Sequence, residues 1–204
     1  MLKLSINKEQ LSELPQVLFP GEITIIDNQN TISAAIAKIK ESGIVGIDTE
    51  TRPAFKKGII HYVALMQVST RTECFLFRIN KIGLNDEIKN FLEDENIIKI
   101  GLSLQDDMRM LHKITEFTPN KFIELQNFVK DYNIADKSLQ KIYGIIFKGK
   151  ISKGQRLSNW EAQSLTIAQM NYAAIDAWAC LKIYDELISK RFSPKNSPYI
   201  LIEE

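Results

Sequence analysis

The sequence predicts an α/β protein in which helices flank a mixed β-sheet. Three observations lead to this fold class: two apolar strands form a hairpin in the first half of the chain, strands and helices then alternate, and helical patterns follow to the end. A hairpin requires antiparallel pairing, whereas strand–helix–strand alternation favours parallel pairing, so we expect both in one sheet. The 204 residues, 45% of them hydrophobic, suit one domain with its own core.

Apolar periodicity and turn residues assign the elements in order. The predicted strands are 22–29, 44–50, 62–70, 73–79, 96–103 and 121–126, the first of them short. The predicted helices are 30–43, 84–94 and 104–114, and residues 127–192 are predicted to be mostly helical. We therefore expect an N-terminal extension over 1–20, a central domain over 21–192 and a C-terminal tail over 193–204.

Composition and motifs argue against several functional classes. The net charge is +1, so any attraction to nucleic acid must be local. The two cysteines and two histidines do not form a zinc pattern, and the chain has no GxGxxG or Walker loop. Because no apolar run suits a signal peptide or a membrane span, we expect a cytoplasmic protein that does not bind membranes.

The buried strand VGIDTE ends in two carboxylates, which strands normally avoid. Asp48 and Glu50 are two residues apart, so they point to the same face of the sheet. Two like charges at this separation repel each other unless a cation or a proton lies between them. This strand therefore predicts a cation site or a shared proton.

Two further acidic positions lie on predicted helices. Asp106 and Asp107 open the helix at 104–114, where acidic residues also complement the helix dipole without any catalytic role. Asp176 lies four residues after Tyr172 on one helical face, among small apolar residues. A carboxylate in such surroundings is paired with a cation, bonded to a backbone donor, or catalytic.

A metal site explains the opening pair of carboxylates best. Magnesium and manganese prefer oxygen ligands, and the chain offers no nitrogen or sulfur cluster. Two such ions about 4 Å apart serve in-line displacement at phosphorus. Four carboxylates supply about the charge that two divalent ions need, so we expect Mg²⁺ or Mn²⁺ as the cofactor.

Three segments carry a resemblance to a known family. VGIDTE, IGLSLQDDMRML and LSNWEAQSLTIAQMNYAAIDAWA resemble the three motifs of the DEDD superfamily of 3′–5′ exonucleases. The spacing of Tyr172 and Asp176 resembles its tyrosine branch, because the histidine branch requires His where Asn171 stands. ETRPAFKKG, VALMQVS and SNW further resemble the exonuclease domain of the Werner syndrome protein, and the likeness to ribonuclease D is more distant. One departure is Glu124, where the family leads us to expect Asp.

The resemblance implies a ribonuclease-H-like fold with a five-stranded mixed β-sheet. It implies that Asp48, Glu50 and Asp176 hold one ion, that Asp48 also touches a second, and that Asp107 acts on the second ion. It further implies that Tyr172 orients the attacking water. The implied activity is release of nucleoside 5′-monophosphates from a free 3′ end, with DNA favoured over RNA. The alternatives are an inactive nucleic-acid-binding module and a ribonuclease-D-like enzyme that trims RNA.

Helical geometry distinguishes Asp107 from Asp106. At about 100° per residue, Asp107 lies about 60° from Leu104, on the flank of the apolar face. Asp106 lies about 160° from Leu104 and near Arg109. We therefore expect Asp107 to face the sheet and Asp106 to face water.

Nucleic-acid contacts are predicted after the first motif and ahead of the third. The stretch FKGKISKGQRLSNW is basic and rich in glycine, so it is either a solvated loop or a rim that contacts phosphates. Trp160 either stacks on a base or packs in the core. The predicted contact residues are Lys56, Lys57, Lys148, Lys150, Lys153, Arg156 and Trp160. The sequence leaves the oligomeric state open.

Overall fold

The computed structural model describes residues 3–56 and 58–201, and a six-stranded mixed sheet lies at its centre. The strands are β1 (Lys3–Leu4), β2 (Glu22–Ile26), β3 (Ile44–Thr51), β4 (Val63–Ser69), β5 (Glu73–Phe77), β6 (Ile98–Gly101), β7 (Phe122–Glu124) and β8 (Ile200–Leu201). The helices are α1 (Lys8–Glu13), α2 (Ile32–Ser42), α3 (Ile79–Ile82), α4 (Asp86–Glu93), α5 (Leu104–His112), α6 (Leu125–Phe128), α7 (Leu139–Phe147) and α8 (Ile167–Ile188).

The strand order of the central sheet is β2-β5-β4-β3-β6-β7. β4 pairs antiparallel with β3 and β5, whereas β2, β6 and β7 pair parallel with their neighbours. The predicted mixed sheet is confirmed. The count of five strands that the family resemblance implies is wrong, because the sheet has six. The sixth strand is β2, which pairs along the free edge of β5 from Glu22 opposite Glu73 to Ile26 opposite Phe77.

Helices cover both faces of the sheet and create two apolar cores. On one face, α2 and α4 pack with Val45 and Ile47 of β3. On the other face, the long helix α8 lies against β3 and β4. Gly46 permits this close approach, because a Cβ atom there would lie 1.8 Å from the carbonyl oxygen of Ala177.

The region 127–192 is less continuously helical than its pattern predicts. α7 ends at Lys148, whose left-handed backbone (φ 53°) turns the chain out of the helix. The chain then runs through turns until α8 begins at Ile167. The glycine-rich basic stretch therefore lies in a loop directly ahead of α8, as its composition indicates.

The first and last described segments of the chain lie together. β1 pairs antiparallel with β8, from Lys3 opposite Leu201 to Leu4 opposite Ile200. The predicted boundaries at 20/21 and 192/193 stay predictions. Among the described residues, every helix is too short or too polar to cross a bilayer.

Candidate active site

Three carboxylates converge where the C-terminal half of β3 meets α8. We call these residues, Asp48, Glu50 and Asp176, the acidic group. Asp48 and Glu50 project from β3 on the same face as Gly46, the face that α8 covers. Asp176 projects from α8, and one carboxylate oxygen from each of the three lies within 4.8 Å of the other two. The sheet and the helix thus bring together residues that are more than 120 positions apart in the sequence.

The N-terminus of α8 is held firmly, which sets the position of Asp176. Thr166 and Gln169 form a reciprocal capping box, and the Gln169 amide also donates to the carbonyl oxygen of Asn159 at 3.3 Å. Tyr172 lies one helical turn before Asp176 and is 8% exposed. Its ring packs beside the fully buried Trp160, with 6.0 Å between ring centroids.

Asp107 and Asp106 face opposite environments, as the helical geometry predicts. Asp107 is partly buried and accepts a 2.5 Å hydrogen bond from the hydroxyl of Thr49, which lies between Asp48 and Glu50 on β3. Asp106 has a side chain that is 72% exposed and pairs with Arg109 at 2.8 Å. The structure therefore places Asp107, and not Asp106, beside the acidic group on β3.

Glu124 orients the helix that carries Asp107, a function that the sequence pattern does not reveal. Its carboxylate accepts hydrogen bonds from the backbone N–H groups of Ser103 at 3.1 Å and Leu104 at 2.8 Å. Ser103 has a left-handed backbone (φ 65°) and makes no side-chain cap for α5. A carboxylate from the neighbouring strand β7 thus caps α5, which complements the positive end of the helix dipole.

Crowding and burial make it unfavourable for the four carboxylates to be charged together. Burial, followed by the charges of Asp107, Asp176 and Glu50, raises the pKa of Asp48 well above its ordinary value. Burial is also the largest cause of the raised pKa values of Glu50, Asp107 and Asp176. Burial, followed by the charges of Asp176, Glu50 and Asp48, likewise raises the pKa of Tyr172, so its hydroxyl stays protonated at neutral pH.

The donor set fits a hard divalent cation. All the donors are carboxylate oxygens, which suit magnesium or manganese. Two ligands of one Mg²⁺ lie at most about 4.2 Å apart, since each bond is about 2.1 Å long. Small side-chain movements from the observed 4.8 Å limit therefore suffice for Asp48, Glu50 and Asp176 to bind the same ion.

The predicted nucleic-acid contacts separate into exposed and buried residues. Lys153 and Arg156 are exposed, and their charges offset a small part of the rise in the pKa values of Asp176 and Glu50 respectively, so both lie near the acidic group. Lys56 and Lys148 are also exposed. Lys57 lies outside the described residues.

Two of the predicted contacts, Trp160 and Lys150, interact with other parts of the protein. Trp160 is 0% exposed, so its predicted stacking on a base is contradicted, and the alternative of core packing is observed. Lys150 is partly buried and donates to the carbonyl oxygen of Ser12 at 2.6 Å. Lys150 thus ties the basic loop to the N-terminal segment.

A second charged group, which we call the Glu161 cluster, borders the acidic residues and was not predicted from the sequence. It consists of Arg52, His61 and Glu161. The Glu161 carboxylate accepts from Arg52 at 3.1 Å, and its other oxygen lies 2.8 Å from Nδ1 of His61. Although burial opposes it, hydrogen bonding from Arg52 and His61 holds the pKa of Glu161 below its ordinary value. The cluster connects the loop after β3 to the turn that leads into α8.

A family model described as 3′–5′ exonuclease matches residues 23–190, which include all the residues of the acidic group. The chain belongs to the 3′–5′ exonuclease family. It is 29% identical over 202 residues to the bifunctional 3′–5′ exonuclease/ATP-dependent helicase WRN of Mus musculus. The alignment covers 91% of this chain and 14% of that protein. It is 28% identical over 192 residues to a 3′–5′ exonuclease of Arabidopsis thaliana, and that alignment covers 84% of this chain and 63% of that protein. The chain thus spans less than two thirds of either relative.

Solved structures with low sequence identity share the fold. The catalytic core of RRP6 from Trypanosoma brucei superposes with a TM-score of 0.74 at 21% identity, covering 90% of this chain and 52% of that one. Trypanosoma brucei RNase D in complex with RNA U12 superposes with a TM-score of 0.70 at 15% identity, covering 88% of this chain and 64% of that one. The predicted ribonuclease-H-like fold is confirmed.

Proposed function

We propose that this chain is a metal-dependent 3′–5′ exonuclease that releases nucleoside 5′-monophosphates from DNA. The observation that carries the proposal is the convergence of Asp48, Glu50 and Asp176 within 4.8 Å, inside a chain that belongs to the exonuclease family. Such a group of buried carboxylates is stable in its charged form only with cations beside it. Phosphodiester hydrolysis is the chemistry that such cations serve in this family.

The side chains divide the work among binding, orientation and proton donation. Asp48, Glu50 and Asp176 would hold one Mg²⁺ or Mn²⁺ ion, and Asp48 and Asp107 would contact a second. Metal ions held by these carboxylates would supply a nucleophile at neutral pH and neutralise charge on the leaving oxygen. Tyr172 keeps its proton, so it acts as a hydrogen-bond donor that orients the attacking water, and not as a base.

The substrate strand approaches between two rims that flank the acidic group. Lys153 and Arg156 form one rim, and Lys56 forms the other. A cavity of about 330 Å³ is lined by Lys56, Phe55 and Leu157 among others. Phe55 is 82% exposed and Leu157 is 61% exposed, so each rim combines a cation with an apolar side chain. Cations bind phosphates, and apolar or aromatic groups contact bases without regard to sequence.

DNA is proposed as the preferred substrate because of the likeness to the mouse WRN protein, at 29% identity. RNA is the second candidate, and the observation that favours it is the shared fold with an RNase D that was solved with RNA U12. A binding module without catalysis is a further alternative. The presence of Asp48, Glu50, Asp107, Tyr172 and Asp176 in one group argues against it.

Degradation of matched DNA and RNA oligonucleotides tests the proposal. Each oligonucleotide is supplied single-stranded or recessed in a duplex, with either the 3′ or the 5′ end blocked, and with Mn²⁺, Mg²⁺ or excess chelator. We expect stepwise loss of 5′-monophosphates from unblocked 3′ ends, faster on DNA, and none in chelator. Digestion that begins at the 5′ end would falsify the proposal, and faster digestion of RNA would transfer it to the second candidate.

A further inference from the structure

Gln67 is a fully buried residue of β4 that lies directly across from Asp48. It is 0% exposed, and the antiparallel register pairs it with Asp48. Directly opposed residues have Cβ atoms about 4.5–5.5 Å apart and project to the same face. The side chain of Gln67 therefore projects next to that of Asp48, on the face that α8 covers.

The side chain of Gln67 is unsatisfied in the described part of the chain. Neither its Nε2 nor its Oε1 atom has a hydrogen-bond partner there. A buried polar group in this state destabilises a fold, and an apolar side chain of similar size avoids that cost. Such a group in a packed interface requires an explanation other than stability.

Two other buried polar side chains, Ser69 and Gln169, do have partners. Ser69, two residues along the same face of β4, donates to the carbonyl oxygen of Thr70 at 2.9 Å. Gln169 of α8 is also buried, and it bonds Thr166 and Asn159. On β5 the residue opposite Gln67 is Leu76, so Asp48 is its polar cross-strand neighbour. The unsatisfied amide thus coincides with the position next to the acidic group.

We propose that Gln67 is a positioning residue: when Asp48 binds a divalent cation, the otherwise unpartnered amide of Gln67 turns to donate a hydrogen bond to the Asp48 carboxylate and fixes its orientation. The inference rests on the proposed function, because it takes Asp48 as a ligand. A neutral donor suits this position, since a lysine or arginine there would compete with the metal for the same charge. Partners of this kind change metal affinity or activity by about 10–100-fold.

The test compares Gln67→Leu with a matched control, Ser69→Ala, on the full chain. Calorimetry measures Mn²⁺ binding to the metal-free protein, melting in chelator measures stability, and an end-labelled oligonucleotide reports turnover. We expect Gln67→Leu to melt at the same or a higher temperature than the wild type, while its Kd for Mn²⁺ rises about 10–100-fold. Ser69→Ala should leave the Kd unchanged. Gln67→Met provides a second apolar variant with a flexible side chain.

A double mutant tests whether Gln67 acts through Asp48. In an Asp48→Asn background, adding Gln67→Leu should weaken Mn²⁺ binding no further, because the group that Gln67 positions is already altered. A second full loss of affinity in that background would overturn the inference.

Two other results also count against the inference. Unchanged Mn²⁺ affinity in Gln67→Leu overturns it, whatever happens to the melting temperature. Loss of the fold in both apolar variants overturns it as well, because the amide would then serve the fold. Failure of the proposed function would give a different result. In that case the wild-type protein itself would neither bind Mn²⁺ nor degrade the oligonucleotide.

Discussion

The acidic group and the Glu161 cluster border the same loop, yet they balance charge in opposite ways. In the acidic group, burial and mutual repulsion raise the pKa values of Asp48, Glu50 and Asp176. Within the described residues, none of these three carboxylates forms an ion pair. In the Glu161 cluster, one carboxylate contacts both Arg52 and His61, and its pKa is lowered.

The contrast shows which group needs a ligand. The Glu161 cluster contains its own cation, Arg52, and His61 as a second partner of the carboxylate, so it is complete as a structural connection between two segments. The acidic group concentrates negative charge away from water and requires cations from solution to hold that charge. Residue types alone do not distinguish a structural ion cluster from a metal site. The two are distinguished by the direction of the carboxylate pKa shifts and by whether a basic side chain contacts the carboxylates.

The largest effect should come from Asp48→Asn, which removes one charge from the acidic group and keeps the shape of the side chain. We expect turnover to fall to background, because Asp48 is proposed to contact both ions. The same change should raise the melting temperature in chelator by a few degrees, since about 1 kcal/mol shifts a domain of this size by about 2–4 °C. Thermal melting with and without Mn²⁺ measures both stabilities. A lower melting temperature in chelator would contradict the repulsion inferred for this group.

Tyr172→Phe should separate orientation of water from metal binding within the acidic group. The variant keeps the ring that packs beside Trp160 and loses only the hydroxyl. We expect turnover to fall by about 10²–10⁴-fold, the range for a residue that donates or positions a proton. Calorimetry should find Mn²⁺ affinity nearly unchanged, with Asp176→Asn as the comparison. If the two variants lose affinity equally, Tyr172 is a ligand.

Asp107→Asn and Asp106→Asn extend the comparison to two adjacent residues. Asp107 is connected to the strand of the acidic group by its hydrogen bond from Thr49. Asp106 is instead paired with Arg109 at the surface, much as Glu161 is paired with Arg52. We expect Asp107→Asn to reduce turnover by about 10²–10³-fold, the scale for losing one electrostatic contribution to the transition state. Asp106→Asn should leave turnover nearly unchanged and alter the free energy of unfolding by no more than about 0.3–1 kcal/mol. Rates at saturating Mn²⁺ decide between them, and the reverse result would exclude Asp107 from the site.

Glu161→Gln should have the smallest effect and a specific pH dependence. Because the pKa of Glu161 is lowered in the folded state, its stabilisation is present above the ordinary pKa of glutamate and is lost as the pH falls through the lowered value. The partly exposed pairs contribute at most about 1 kcal/mol. We therefore expect the wild type to melt slightly above Glu161→Gln at neutral pH, and the difference to close on acidification. A difference that stays constant down to the acid transition would show that the charge of Glu161 does not stabilise the fold.

The predictions that succeeded rest on local periodicity. The two-residue period of a strand puts Asp48 and Glu50 on one face, and the helical period puts Tyr172 beside Asp176 and turns Asp107 toward the sheet. These relations depend on backbone geometry over a few residues, so the sequence contains them whatever the tertiary structure. The three segments with motif resemblance add the family, because their order and spacing are specific even though each one is short.

The tertiary structure alone decided the relations between distant segments. β2 joins the sheet because the edge of β5 is open to it, which makes six strands where five were expected. Glu124 caps a helix that begins 20 residues earlier, and Glu161 reaches Arg52 across 109 residues. The burial of Trp160 likewise follows from how the turn before α8 packs. No local period encodes such contacts, because they depend on which surfaces meet when the sheet and its helices pack, and that packing is a property of the whole chain.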